Sequence, residues 1–165
     1  MLAISAQVLD RGLPRKPLSI RPGASAPVAR WRRNDLGAVL HQRRTGGEWE
    51  VDLVVLVHDG QAWRFAAGYL GWQERSRLLR PLPPAPYDPA SLLDHLGTTV
   101  HPPHVGGTAL TVYIEEYLVD PAVTGIAVDY LDGLVPVRDE WRVHPSGLVL
   151  VGHTGTQPMI KPRFR

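Results

Sequence analysis

The stretch Trp49-Glu-Val-Asp-Leu-Val-Val-Leu-Val57, then His58-Asp59-Gly60-Gln61, then Ala62-Trp-Arg-Phe-Ala-Ala-Gly-Tyr-Leu70, decides the fold. Two apolar extended runs flank an Asp-Gly pair. A two-residue type I′ turn needs positive φ at both central positions, and Asp-Gly tolerates it. That register pairs Val57 with Ala62, Leu56 with Trp63 and Val54 with Phe65. Trp49, Val51, Leu53, Val55 and Val57 then share one face, and Val54, Leu56, Trp63, Phe65 and Tyr69 the other. Both faces are apolar near the turn, so the hairpin is expected to be central, antiparallel and covered on both sides.

The same idiom recurs outward from this hairpin. Ala26–Trp31 is extended, Leu110, Val112, Ile114 and Leu118 alternate, and Ile126, Val128 and Tyr130 alternate before Asp132-Gly133. Pro145-Ser146-Gly147 turns the chain into Leu148–Val151, and 16 glycines and 16 prolines punctuate the whole. Asp88-Pro-Ala-Ser-Leu-Leu-Asp-His-Leu96-Gly97 breaks the pattern. Asp88 as N-cap, Pro89 at the first helical position, a Leu92/Leu93/Leu96 stripe and a terminal glycine predict a short helix over 88–96. A further helical turn fits Gln73–Leu79, and the proline-rich segment 80–89 reads as an extended crossover. Pro17-Leu-Ser-Ile20, Pro22-Gly23 and Ala26–Trp31 resemble the opening strands of immunoglobulin-like sandwiches. The expected fold is mainly β: one domain over 1–165, an antiparallel two-sheet β-sandwich of immunoglobulin-like architecture with one short helix. About seven to nine strands are expected.

The composition, 44% hydrophobic and 21% charged over 165 residues, is that of a soluble globular chain. Cysteine is absent, which excludes disulfides, thiolate metal sites and cysteine nucleophiles. MLAISAQVLD lacks the basic start of a signal peptide, and no apolar run approaches the roughly 20 residues of a membrane span. A cytoplasmic protein without a membrane partner is expected. The net charge of +2 hides 13 basic and 7 acidic side chains before residue 81, against 5 and 9 after it. Opposite poles of this kind steer association.

Candidate sites follow from residue type and spacing. Arg30, Trp31, Arg32 and Arg33, with Arg43 and Arg44, form a basic region that can grip phosphates while Trp31 stacks on a base. The competing reading turns Trp31 into the core and leaves a solvated strand face. His101-Pro-Pro-His104 sets two imidazoles three residues apart, but the prolines remove the helix and no spacing adds a third ligand, so a turn is expected. Glu116 falls at an inward position of its strand, and a bulge at Glu115-Glu116 turning both outward is expected. Arg80–Pro86 is similar to the basic-first ligands of Src-homology peptide-binding domains, though it links folded segments. Gly47–Val54, a turn and the strand after it resemble the central hairpin of the PD-(D/E)xK nuclease superfamily. The resemblance implies a metal-binding Asp52, but Ala66-Ala-Gly-Tyr69 stands where an acid-x-Lys pair belongs.

No motif assembles a catalytic centre. The expected function is a non-catalytic binding or protein-interaction module with no cofactor and no metal. The alternatives are a metal-dependent hydrolase built from dispersed histidines and acids, and a nucleic-acid-binding β domain using Arg30–Arg44. The two-faced apolar hairpin and the opposite poles also predict self-association as a two-fold dimer.

Overall fold

The computed structural model describes residues 1–14, 24–45, 48–72, 90–102, 108–120, 122–132, 135–155 and 159–165. Within it, β3 (Glu48–His58) and β4 (Trp63–Trp72) form the antiparallel hairpin that the sequence predicts, with a longer loop. The first pair across the turn is His58–Trp63, so near the turn each β3 residue meets a partner two places later than expected and facing is preserved. Asp59 sets the loop. Its Oδ1 accepts from the Gln61 and Ala62 amides at 2.9 and 2.7 Å, and Gly60 supplies φ +93°. The Arg64 guanidinium and these amides hold the Asp59 carboxyl well below its ordinary range.

β1 (Ser25–Arg33) and β2 (Leu36–Thr45) complete a four-stranded sheet in the order β1-β2-β3-β4. β5 (Ala90–Val100), β6 (Leu110–Val119) and β9 (Leu148–Thr154) form a second sheet in the order β5-β6-β9. β7 (Gly125–Asp132), β8 (Val135–Arg142) and β10 (Met159–Phe164) form a third, β10-β7-β8. The two-sheet expectation is therefore corrected to three antiparallel sheets among the described residues. β9 shows why a third layer is needed. Leu148 and Leu150 join Trp31, Leu40, Leu53 and Ile114 in one core, while Val149 and Val151 pack with Ile126, Val128 and Tyr130 in another. A strand apolar on both sides needs cover on each.

Of the helix expected over 88–96, residues 88 and 89 lie outside the described residues and residues 90–96 are strand. β5 runs from Ala90 to Val100 and pairs with β6 through Val100–Leu110. A two-turn helix does not support itself in water, whereas β6 offers a full ladder and Thr98-Thr99-Val100 favours strand. Gly97 is no helix cap; it sits opposite Tyr113, whose ring approaches a Cβ built there to 3.2 Å. Among the described residues the one helix is α1 (Leu2–Arg11), before the first sheet, where Gly12 at φ +93° follows its last turn. Val8 and Leu9 pack on Val39, Val54, Leu56 and Trp63, so α1 is what covers the second face of the hairpin. Gly37 makes room for it: a Cβ at that position would lie 2.5 Å from a Leu9 methyl.

The bulge expected at Glu115-Glu116 is also corrected. The β6–β9 register is unbroken there, the irregularity falls on β5 between Leu92 and Asp94, and Glu116 stays inward and buried opposite Asp94. The extended run at 17–20, the turn at 73–79, the segment 80–89 and residues 103–107 and 133 lie outside the described residues. Among the described residues no helix is long and apolar enough to cross a membrane.

Candidate functional site

Strand alternation divides the predicted basic region. Arg30 and Arg32 face α1, while Trp31 is 3% exposed and belongs to the core, so it offers no face for stacking on a base. Arg30 Nη1 donates to the carbonyls of Val8 (3.2 Å) and Leu9 (3.1 Å), and Arg32 Nη1 donates to Leu9 O at 3.0 Å. These carbonyls belong to the last turn of α1, where Val8 O also accepts from the Gly12 amide at 2.8 Å, and the carbonyl end of a helix favours a cation. Burial, then the charge of Arg32, lowers the Arg30 pKa. Arg32 also lies 5.2 Å over the Trp63 ring and 3.6 Å from Asp10, which accepts from Trp63 Nε1 at 2.9 Å.

Arg33 is placed differently. Its guanidinium stands 4.1 Å over the Tyr130 ring, and its Nη1 is buried without a hydrogen-bond partner. Tyr130 in turn accepts from Trp31 Nε1 at 3.3 Å, and burial pushes its hydroxyl up to about 12. Arg43 lies about 14 Å from Arg30 along the ladder, four residues past Val39, the partner of Arg30 on β2. It binds Glu50 at 2.7 Å and Asp52 at 3.4 Å. Arg44 is on β2, with its side chain outside the described residues.

Arg30, Arg32 and Arg33 nevertheless all line one cleft of about 430 Å³, together with Asp10 of α1, Asn34 of the β1–β2 turn and Asp139 of β8. Asn34 takes φ 50°, a conformation asparagine tolerates better than other side chains, and so brings the turn sharply round. A narrower recess of about 190 Å³ extends the cleft along β1 toward Trp141. A larger groove of about 790 Å³ lies elsewhere, between Val123, Ile126, Trp141, His144 and Arg165. Its walls mix apolar side chains with charges of both signs, and burial lowers the His144 pKa. That mixture selects no ligand chemistry.

A second constellation is one that spacing did not reveal. Ser5 Oγ lies 2.7 Å from His41 Nε2, and His41 pairs across β2 and β3 with Asp52. A hydroxyl, an imidazole and a carboxylate make up hydrolytic triads. Here all three side chains are fully buried, and Ser5 Oγ also donates to Met1 O at 3.3 Å. His41 Nδ1 has no hydrogen-bond partner, and burial, against the pull of Asp52, pushes its pKa down to about 4. The array therefore anchors α1 rather than meeting a substrate. The signal for it was the β2–β3 alternation, Val39/His41/Arg43 against Val54/Asp52/Glu50, once the two strands are known to pair.

Asp52, which the nuclease resemblance implies as a metal ligand, is held beside Arg43 in this layer. His101 is exposed after β5, and His104 lies outside the described residues. His95, Tyr113 and His153 stack across the second sheet, with ring centroids 5.5 and 5.0 Å apart. Among the described residues no group of three His, Asp or Glu side chains is placed to hold a metal ion. Comparison with protein-family models, curated proteins and solved structures found no match.

Proposed function

We propose that this protein is a non-catalytic binding module for a ligand with a compact anionic group, such as phosphate, held in the cleft between α1, the β1–β2 turn and β8. The presence of three arginines in the lining of that one cleft carries the reading. Arg33 matters most, because among the described residues no carboxylate pairs with it, while Arg30 and Arg32 are committed to the end of α1. Charge-assisted hydrogen bonds from guanidinium to an oxyanion are each worth about 1.5–3 kcal/mol.

Calorimetric titration with pyrophosphate at low ionic strength tests this. Arg33→Met, which keeps much of the packing over Tyr130, should weaken binding by about tenfold or more without moving the unfolding temperature. No binding to the unaltered chain at millimolar pyrophosphate refutes the proposal. Binding only to a single-stranded oligonucleotide, with a steep salt dependence, would favour the nucleic-acid alternative. Stoichiometric zinc in the purified protein, lost in both His101→Ala and His104→Ala, would favour the metal-dependent hydrolase.

A second reading, two-fold self-association, rests on Phe65. α1 covers Trp63 but leaves Phe65, on the same hairpin, 60% exposed.

A further inference from the structure

The cleft has one wall that is not part of a sheet. Asp10 and Leu9 belong to α1, and α1 rests on the first sheet through three kinds of contact. Its carboxyl end is held by Arg30 and Arg32, its middle by Leu9 in the notch at Gly37, and its amino end by Ser5 on His41. We infer that α1 is a strap whose docking requires a neutral His41, and that protonation of His41 releases α1 and dismantles the anion cleft. The gating half of this inference rests on the binding reading above; the release half does not.

The geometry explains the dependence. Ser5 Oγ donates to Met1 O, which leaves its oxygen to accept the Nε2 proton of neutral His41. His41 Nδ1 then keeps a lone pair that nothing in the docked structure needs to satisfy. A proton added there becomes a buried cationic donor without an acceptor, and a buried unpaired charge is costly. The neighbours relieve it only in part: β1 contributes Pro27 opposite His41 and the positive amino terminus of Met1 opposes the proton, while Asp52 of β3, whose charge favours the proton, is already engaged with Arg43 of β2, as is Glu50. Undocking α1 exposes the imidazole to water and restores its ordinary basicity. The docked pKa of about 4 against 6.5 gives the direction: docking is fully present above pH 6.5 and weakens as pH falls toward 4. The docking constant falls about 20-fold between pH 7 and pH 5.

The chain has no cysteine, so a nitroxide on Leu2→Cys, an exposed position, reports α1 alone. Its spectrum should pass from immobilised to mobile between pH 7 and pH 5, while in a Trp63→Phe background, which removes the tryptophan lying under α1, the near-ultraviolet dichroism of the remaining tryptophans persists. Sulfate, whose charge is constant over this range, should lose affinity in parallel. In His41→Gln, which keeps a polar group near Nε2 but does not titrate there, both changes should vanish. Gly37→Ala crowds Leu9 without touching His41, and should move release to higher pH even if the glutamine variant does not fold. A label that stays immobilised to pH 4.5 overturns the inference. So does the same transition in His41→Gln, an unshifted one in Gly37→Ala, or loss of the tryptophan signal together with release. Release without sulfate binding at any pH overturns the ligand reading and leaves the strap; equal sulfate affinity before and after release overturns the gating.

Discussion

Gly152 of β9 offers a direct test of how the first core is built. A Cβ placed on it would lie 2.5–2.6 Å from three atoms of the Trp31 ring, closer than carbon atoms approach. The ring cannot swing away cheaply, because Trp31 is buried and its Nε1 is held by Tyr130. Gly152→Ala adds one methyl to a filled space, and overpacking of this kind costs about 1–3 kcal/mol. The loss of glycine's freedom in the unfolded chain returns about 0.4–1 kcal/mol, which leaves a net destabilisation of about 1–2 kcal/mol. Urea denaturation measures it, with an unchanged m-value as the sign that the unfolded state is not altered. Trp31→Phe removes the fused ring, so Gly152→Ala in that background should cost at least about 1 kcal/mol less, a coupling typical of residues in contact. A cost within about 0.3 kcal/mol of zero, or an equal cost in both backgrounds, refutes the packing argument.

Two further outcomes are expected. Arg30→Met removes the paired hydrogen bonds to Val8 O and Leu9 O and should destabilise the chain by about 1–2 kcal/mol, with faster amide exchange confined first to α1. Light scattering across a dilution series should show a dimer that Phe65→Ser converts to monomer; a monomer at every concentration refutes the self-association reading.

The strands were legible where pattern and neighbours agree. Ala26–Trp31, the 49–70 hairpin and the runs beginning at Leu110, Ile126 and Leu148 read as extended or alternating apolar runs in the sequence and are strands in the structure. Residues 90–96 are strand despite their helical signals because those signals are local, whereas the β6 ladder that overrides them is set further along the chain. α1 carries Val8 and Leu9 at helical spacing with Ser5 and Gly12 in phase, but Met1 makes no side-chain cap, so the usual start signal is missing. The number of sheets was hidden for a different reason. Alternation tells which residues share a face of one strand, not which other strand covers that face. The candidate site shows the same limit. Arginines 30, 32 and 33 stand out in the sequence, yet the split between helix-capping and cleft-lining roles depends on α1, and the Ser5–His41 contact joins residues 36 apart.

β3 is buried on both faces, and its two covers come from opposite ends of the chain. α1 precedes it, so Val54 and Leu56 can be sheltered as soon as the hairpin leaves the ribosome. Val51, Leu53 and Val55 wait for Ile114 of β6 and Leu150 of β9, which are synthesised much later. During that interval Val51-Asp-Leu-Val-Val-Leu-Val57 presents an uncovered apolar sheet face, and windows of this composition are prone to intermolecular pairing. The buried Asp52 interrupts the run with a charge that the folded state neutralises through Arg43 and that an aggregate would have to bury alone. Translation speed between residues 57 and 150 thus becomes a determinant of yield, and holding chaperones would act on this face first.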